Sequence, residues 1–83
     1  MDSEKILVAI NSLRELAADT QIPKNIKLRI GKTIRTLEQN SELSIRVSRA
    51  LCELEEIVDD ANMQPFTRTQ IFNIVSMLET ASS

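Results

Sequence analysis

The chain contains no histidine, tryptophan or tyrosine, and only one cysteine, one glycine and two prolines among 83 residues. Without histidine it lacks the usual neutral-pH general base and the commonest metal ligand. Cys52 has no imidazole to activate it, and no second thiol for zinc, redox exchange or an internal disulfide. With Gly31 as the sole glycine, there is no glycine-rich loop to cradle phosphate. Phe66 and Phe72 are the only aromatics, so no tyrosine or tryptophan offers a platform for stacked bases. Nothing marks a set of carboxylates or lysines as a catalytic centre. The expectation is a protein that is not an enzyme and uses no cofactor.

Charge of one sign is also scarce. The net charge is −2, so nothing global draws the chain to nucleic acid or an anionic membrane. No apolar run approaches the ~20 residues that span a bilayer. Met1 to Lys5 carries two acids before a short apolar run, unlike the basic start of a signal peptide. A lone cysteine suits a reducing compartment. Together these predict a cytoplasmic protein with no membrane partner.

What is present is a helical pattern. Hydrophobic residues make up 42% of the chain, enough for a core and too many for disorder. The organising stretch runs from Asn40 to Asn62. Within it Leu43, Val47, Ala50, Leu54 and Ile57 recur at alternating spacings of four and three, and Leu51 and Val58 widen the stripe. At 100° per residue these fall on one face of a helix; a strand would scatter them over two. Two heptads are too few for a free-standing coiled coil, so this is a core helix of a small bundle.

The flanking segments read the same way. A first helix, about Ser3 to Ala18, is capped by Asp2 or Ser3 and buries Ile6, Ala9, Ile10, Leu13, Leu16 and Ala17. Ile22-Pro23 opens a second helix, because proline fits a first turn and disfavours helix in the residue before it. This helix runs to about Gln39 and buries Ile26, Ile30, Thr33, Ile34 and Leu37. Gly31 lies in its middle, either for a close backbone approach or as a tolerated surface glycine. Asn40 or Ser41 caps the third helix, about Glu42 to Asp59. Pro65 opens the fourth, with Thr67 as an alternative cap; its arc is Ile71, Ile74, Val75, Met77, Leu78 and Ala81.

The chain also matches itself at an offset of 41 residues: Ala9/Ala50, Leu13/Leu54, Glu15/Glu56, Asp19/Asp60, Ile30/Ile71, Leu37/Leu78 and Glu38/Glu79. Pro23 and Pro65 are 42 apart, which predicts one extra residue in the second break. The halves read as two similar hairpins, residues 3–39 and 42–81, each the size of a HEAT-type unit. Two units are fewer than a solenoid needs, so the expected fold is all-α, a closed four-helix bundle in a single domain.

Three features beyond the core bear on function. Asp59, Asp60 and Asn62 form a polar cluster that suits turn and capping roles, with a hard cation as the alternative. No metal site is expected. The second helix carries Lys24, Lys27, Arg29, Lys32 and Arg35 and no acid before Glu38, whereas the third ends in Glu53, Glu55, Glu56, Asp59 and Asp60. Acids at a helix C-terminus oppose its dipole, so the two faces are predicted to lie close; the five cations are also candidate phosphate contacts. Lastly, Leu7, Val8, Leu28, Ile45, Cys52 and Phe72 fall outside the core arcs. They are either scattered surface residues or a second apolar surface for self-association or for another protein.

Two segments, Asp19-Thr20-Gln21-Ile22-Pro23-Lys24-Asn25-Ile26 and Ile57-Val58-Asp59-Asp60-Ala61-Asn62-Met63-Gln64-Pro65-Phe66-Thr67-Arg68-Thr69, together with the ending Ile74-Val75-Ser76-Met77-Leu78-Glu79, resemble the archaeal uncharacterised protein family 0147. The resemblance covers nearly the whole chain and is carried by the two proline turns and the Thr-Arg-Thr step. Gln64 departs from it, standing where proline would follow Met63 directly. The resemblance implies an archaeal, cytosolic, all-helical protein; it brings no activity, cofactor or site residue. The expected function is a non-catalytic interaction module, homo-oligomeric through the off-face apolar residues; the alternative is an accessory nucleic-acid-binding protein using the basic helix.

Overall fold

The computed structural model describes residues 3–81. Four helices follow one another: α1 (Ser3–Ala18), α2 (Lys24–Glu38), α3 (Leu43–Val58) and α4 (Pro65–Ala81). Short turns make chain neighbours antiparallel. α1 packs on α2 and α4, and α3 packs on α2 and α4; neither diagonal pair approaches closely among the described residues. The helices thus form a closed ring around one aliphatic core, 32 × 20 × 19 Å overall.

The stripes read from periodicity meet in that core. Leu13, Ile26, Ile30, Leu37, Leu54, Ile57, Ile71 and Leu78 are fully buried. Leu43, Leu51, Ala17 and Met77 lie half-buried at its margin. Four further residues enter it. Ile22 and Met63 reach in from the turns, and Thr36 and Thr67 are buried on helix flanks. Thr33 and Thr36 tolerate burial because each hydroxyl donates to the carbonyl four residues back, Arg29 O at 3.2 Å and Lys32 O at 3.1 Å.

The helix starts differ from expectation. The cap proposed at Asp2 lies outside the described residues, and Ser3 is the first residue of α1. Neither Asn40 nor Ser41 caps α3; Glu42 holds that position with no side-chain bond, its carbonyl accepting from Ile45 N and Arg46 N, each at 3.1 Å. Pro23 stands at the N-cap of α2, and its carbonyl accepts from Lys27 N at 3.0 Å. Pro65, in contrast, is the first residue of α4, and Thr67 is buried within that helix, not a cap.

The α1–α2 and α3–α4 turns share one hydrogen-bond scheme. Asp19 N donates to Leu16 O, Ile22 N to Asp19 O and Gln21 N to Asp19 Oδ1; Asp60 N, Met63 N and Asn62 N repeat these bonds to Ile57 O, Asp60 O and Asp60 Oδ1. Each bond has its counterpart 41 residues on. The second turn therefore has no extra residue in its bonded register. The proline has moved by one position, from N-cap to the first helical residue, and both positions accept it because neither needs an amide donor.

Among the described residues, Gly31 serves no close approach. A Cβ built there would meet only Arg35 Nη1, at 3.6 Å, an ordinary contact. Gly31→Ala should raise unfolding free energy by about 0.5–1 kcal/mol, from helix propensity alone. Leu54→Ala, at a fully buried site, should lower it by about 2–5 kcal/mol. Urea denaturation followed by circular dichroism checks both.

Candidate interaction surface

The basic and acidic helices do lie side by side. Arg29 reaches Glu56 and Asp60, both at 3.9 Å, and Lys32 reaches Glu53 at 4.0 Å. A further bridge joins Arg14 of α1 to Glu38 at the end of α2. These pairs are mostly exposed, and each is worth at most about 1 kcal/mol. Asp60 and Glu53 are the most enclosed of these acids, with Glu53 the one left short of partners. Its Oε2 lies 3.3 Å from the Thr36 hydroxyl, whose single proton is shared with Lys32 O, and its Oε1 is buried with no protein partner. Of the five cations singled out in the sequence, Arg29 and Lys32 are engaged. Lys24, Lys27 and Arg35 have no acidic partner within 4.0 Å among the described residues.

Two arginines secure helix ends in a way the sequence did not show; Arg46, which helical spacing would pair with Glu42, reaches back to α2 instead. Arg68 of α4 donates from Nε to Val58 O at 3.1 Å and from Nη2 to Asp60 O at 3.2 Å. Arg46 of α3 donates from Nη1 to Leu37 O at 2.7 Å, although its Nε is buried without a partner. Each guanidinium thus sits on the carbonyl end of a preceding helix, where orphan acceptors and the dipole both favour a cation. The only sequence signal was the Thr-Arg-Thr step. Helical periodicity cannot show which carbonyl an arginine will reach.

Asp60 is occupied by its turn: Oδ1 accepts from Asn62 N at 2.8 Å and Oδ2 lies 3.9 Å from Arg29. Among the described residues, no group of three or more Cys, Asp or Glu is placed to hold a metal ion. No helix of the described residues is long and apolar enough to cross a membrane.

The apolar residues set aside from the core arcs all stay outside it. Leu7, Val8, Leu28, Ile45 and Phe72 are between 46% and 65% exposed, and Cys52 is exposed as a free thiol. They do not converge on one patch. Leu7 lines a depression with Ile6, Leu37 and Leu43. Cys52 borders the polar α2–α3 groove beside Arg49 and Glu53. Phe72 lines the α3–α4 groove with Val58 and Val75, rimmed by Glu55, Asp59 and Glu79. Phe66, absent from the sequence-based set, is the most exposed large apolar residue, at 71%. The helical wheel held a weaker signal: Phe66 lies about 100° from the centre of the α4 core arc, nearer to it than Phe72 at about 140°.

Comparison with known proteins places these features in a family. The description "Uncharacterised protein family (UPF0147)" matches residues 1–81. A UPF0147 protein of Sulfurisphaera tokodaii is 46% identical over 78 residues, covering 92% of this chain and 86% of the relative. One from Methanosarcina mazei is 34% identical over 79 residues, covering 94% and 85%. A crystal structure of a protein of unknown function, MMP1188, superposes with a TM-score of 0.91 at 36% identity, covering 96% of this chain and 92% of the other.

Replacing Arg68 with Met keeps its apolar stem and removes two-point anchoring of the α3 end. The expected cost is about 1.5–3 kcal/mol, the range for hydrogen bonds to a charged group. Arg68→Lys should recover only part of it, because an ammonium lacks the planar fork. Thermal and urea unfolding of the two variants measures the difference.

Proposed function

The chain belongs to the uncharacterised protein family UPF0147, and because that membership names no activity, we propose from its surface a non-catalytic protein-interaction module. It associates with copies of itself or with another protein through exposed apolar side chains. The observation that supports this reading is the placement of the two phenylalanines. The core holds no aromatic residue, while Phe66 and Phe72, the only aromatics, are 71% and 52% exposed. Aromatic rings are the large rigid anchors of protein interfaces, and leaving them in water forgoes their burial. The lone thiol and the charge balance further suggest a cytoplasmic setting.

A second reading, an accessory nucleic-acid-binding role, draws on Lys24, Lys27 and Arg35, which are left without acidic partners among the described residues. It is the weaker reading, since Arg29 and Lys32 already face Glu53, Glu56 and Asp60.

Light scattering on the native protein at low and high salt separates the possibilities. The interaction reading expects a species larger than one chain that persists in high salt and is reduced by Ile45→Glu or Phe72→Glu. A single chain at both salts would sink the homo-oligomer claim. Binding to a duplex or single-stranded oligonucleotide would instead fall with salt, with a log–log slope of about −2 to −3 for three phosphate contacts.

A further inference from the structure

Two surfaces of this chain are complementary in charge, each with an apolar centre, and neither meets the other within one copy. The first is the α3–α4 groove. Its floor is Val58 and Val75, its apolar wall is Phe72, and its rim is Glu55, Asp59 and Glu79, with no lysine or arginine lining it. Glu55 and Asp59 make no ion pair within 4.0 Å among the described residues. The second is the outer ridge of α2. Leu28, 65% exposed, stands there between Lys24 one turn before it and Lys32 and Arg35 one and two turns after. Gly31 lies beside Leu28 on the same side, leaving a dent where any other residue would place a side chain.

That dent lowers helix propensity relative to alanine, and among the described residues only the Arg35 guanidinium borders it. A helix from outside would make use of it, because a missing Cβ lets a neighbouring backbone come close. α2 has no close approach to α4, so its outer ridge and the groove beside Phe72 lie on different sides of the ring. Resting on the interaction-module reading above, we propose that the occupant of the α3–α4 groove is the α2 ridge of a second copy of this chain. Leu28 enters against Phe72, Val58 and Val75; Lys24, Lys32 and Arg35 meet Glu55, Asp59 and Glu79; and Gly31 admits the groove wall. Because the two surfaces differ, the contact is head-to-tail, and assembly continues into a ring or an open chain. Lys32 exchanges or shares its contact with Glu53 on docking.

The test is complementation. Leu28→Asp spoils the ridge and leaves the groove; Phe72→Asp spoils the groove and leaves the ridge. Both positions are exposed, so circular dichroism should show the native helix content, and Asn11→Asp on the exposed side of α1 is the control. By light scattering each single variant should lose self-association about thirtyfold or more, the scale of an interface anchor. An equimolar mixture of the two should restore a one-to-one pair that grows no further. Gly31→Ala should weaken association severalfold while stabilising the monomer. If the native protein assembles but the mixture does not pair, or a single variant assembles normally, the head-to-tail contact is overturned and the interaction-module reading stands. If the native protein is monomeric yet binds a synthetic lysine- and leucine-rich helical peptide through Phe72, self-occupancy is overturned and the groove remains a docking site. If it is monomeric and binds no such peptide, both readings fall.

Discussion

Closure of one aliphatic core by four helical stripes is the constraint on which everything else rests. No aromatic ring fills the interior, and a domain of this length buries only about 60% of its unfolded surface. Each helix contributes its share through two seams, to the neighbours on either side, and none reaches across the diagonal. Loss of one helix would open two seams at once. The side chains are correspondingly compact: leucine and isoleucine hold the eight largest closed positions.

The core explains the helices but not the way their ends are held. The acidic end of α3 sets Glu53, Glu56 and Asp60 against the negative pole of its own dipole. Two sources of positive charge offset this: Arg29 and Lys32 from α2, and Arg68 from α4, which binds the terminal carbonyls directly. The end of α3 thereby becomes a link between three helices. The same cations are consequently less available to an outside phosphate, and this is why the weight of the functional reading falls on the apolar surface.

Most of the fold was legible in the sequence because its signal is periodic. Spacings of three and four placed Leu13, Ile30, Leu54 and Leu78 on the right faces, and two prolines marked two of the three turns. What escaped was non-periodic. Ile22 and Met63 plug the bundle from within turns, where no repeat announces them. Arg46 and Arg68 act on carbonyls that only tertiary geometry brings within reach. The start of α3 was misjudged because Asn40 and Ser41 carry good capping side chains, yet the chain enters its helix at Glu42 with none. On the surface, the wheel correctly kept Leu28 and Phe72 outside the core, but it could not show that they lie on separate sides of the ring.

The matched turns and the α1–α4 seam bear on how the order of the chain relates to its shape. In an up-down-up-down ring the beginning of α1, the end of α4 and the α2–α3 connection all lie at one end, and the two turns with the shared bonding scheme lie at the other. The pair α3–α4 followed by α1–α2 would then trace the same circuit as the natural order. A short bridge from α4 to α1 and a cut between α2 and α3 would preserve every seam and both aspartate-centred turns. Nothing in the packing singles out a first helix; the ring is indifferent to where translation enters it.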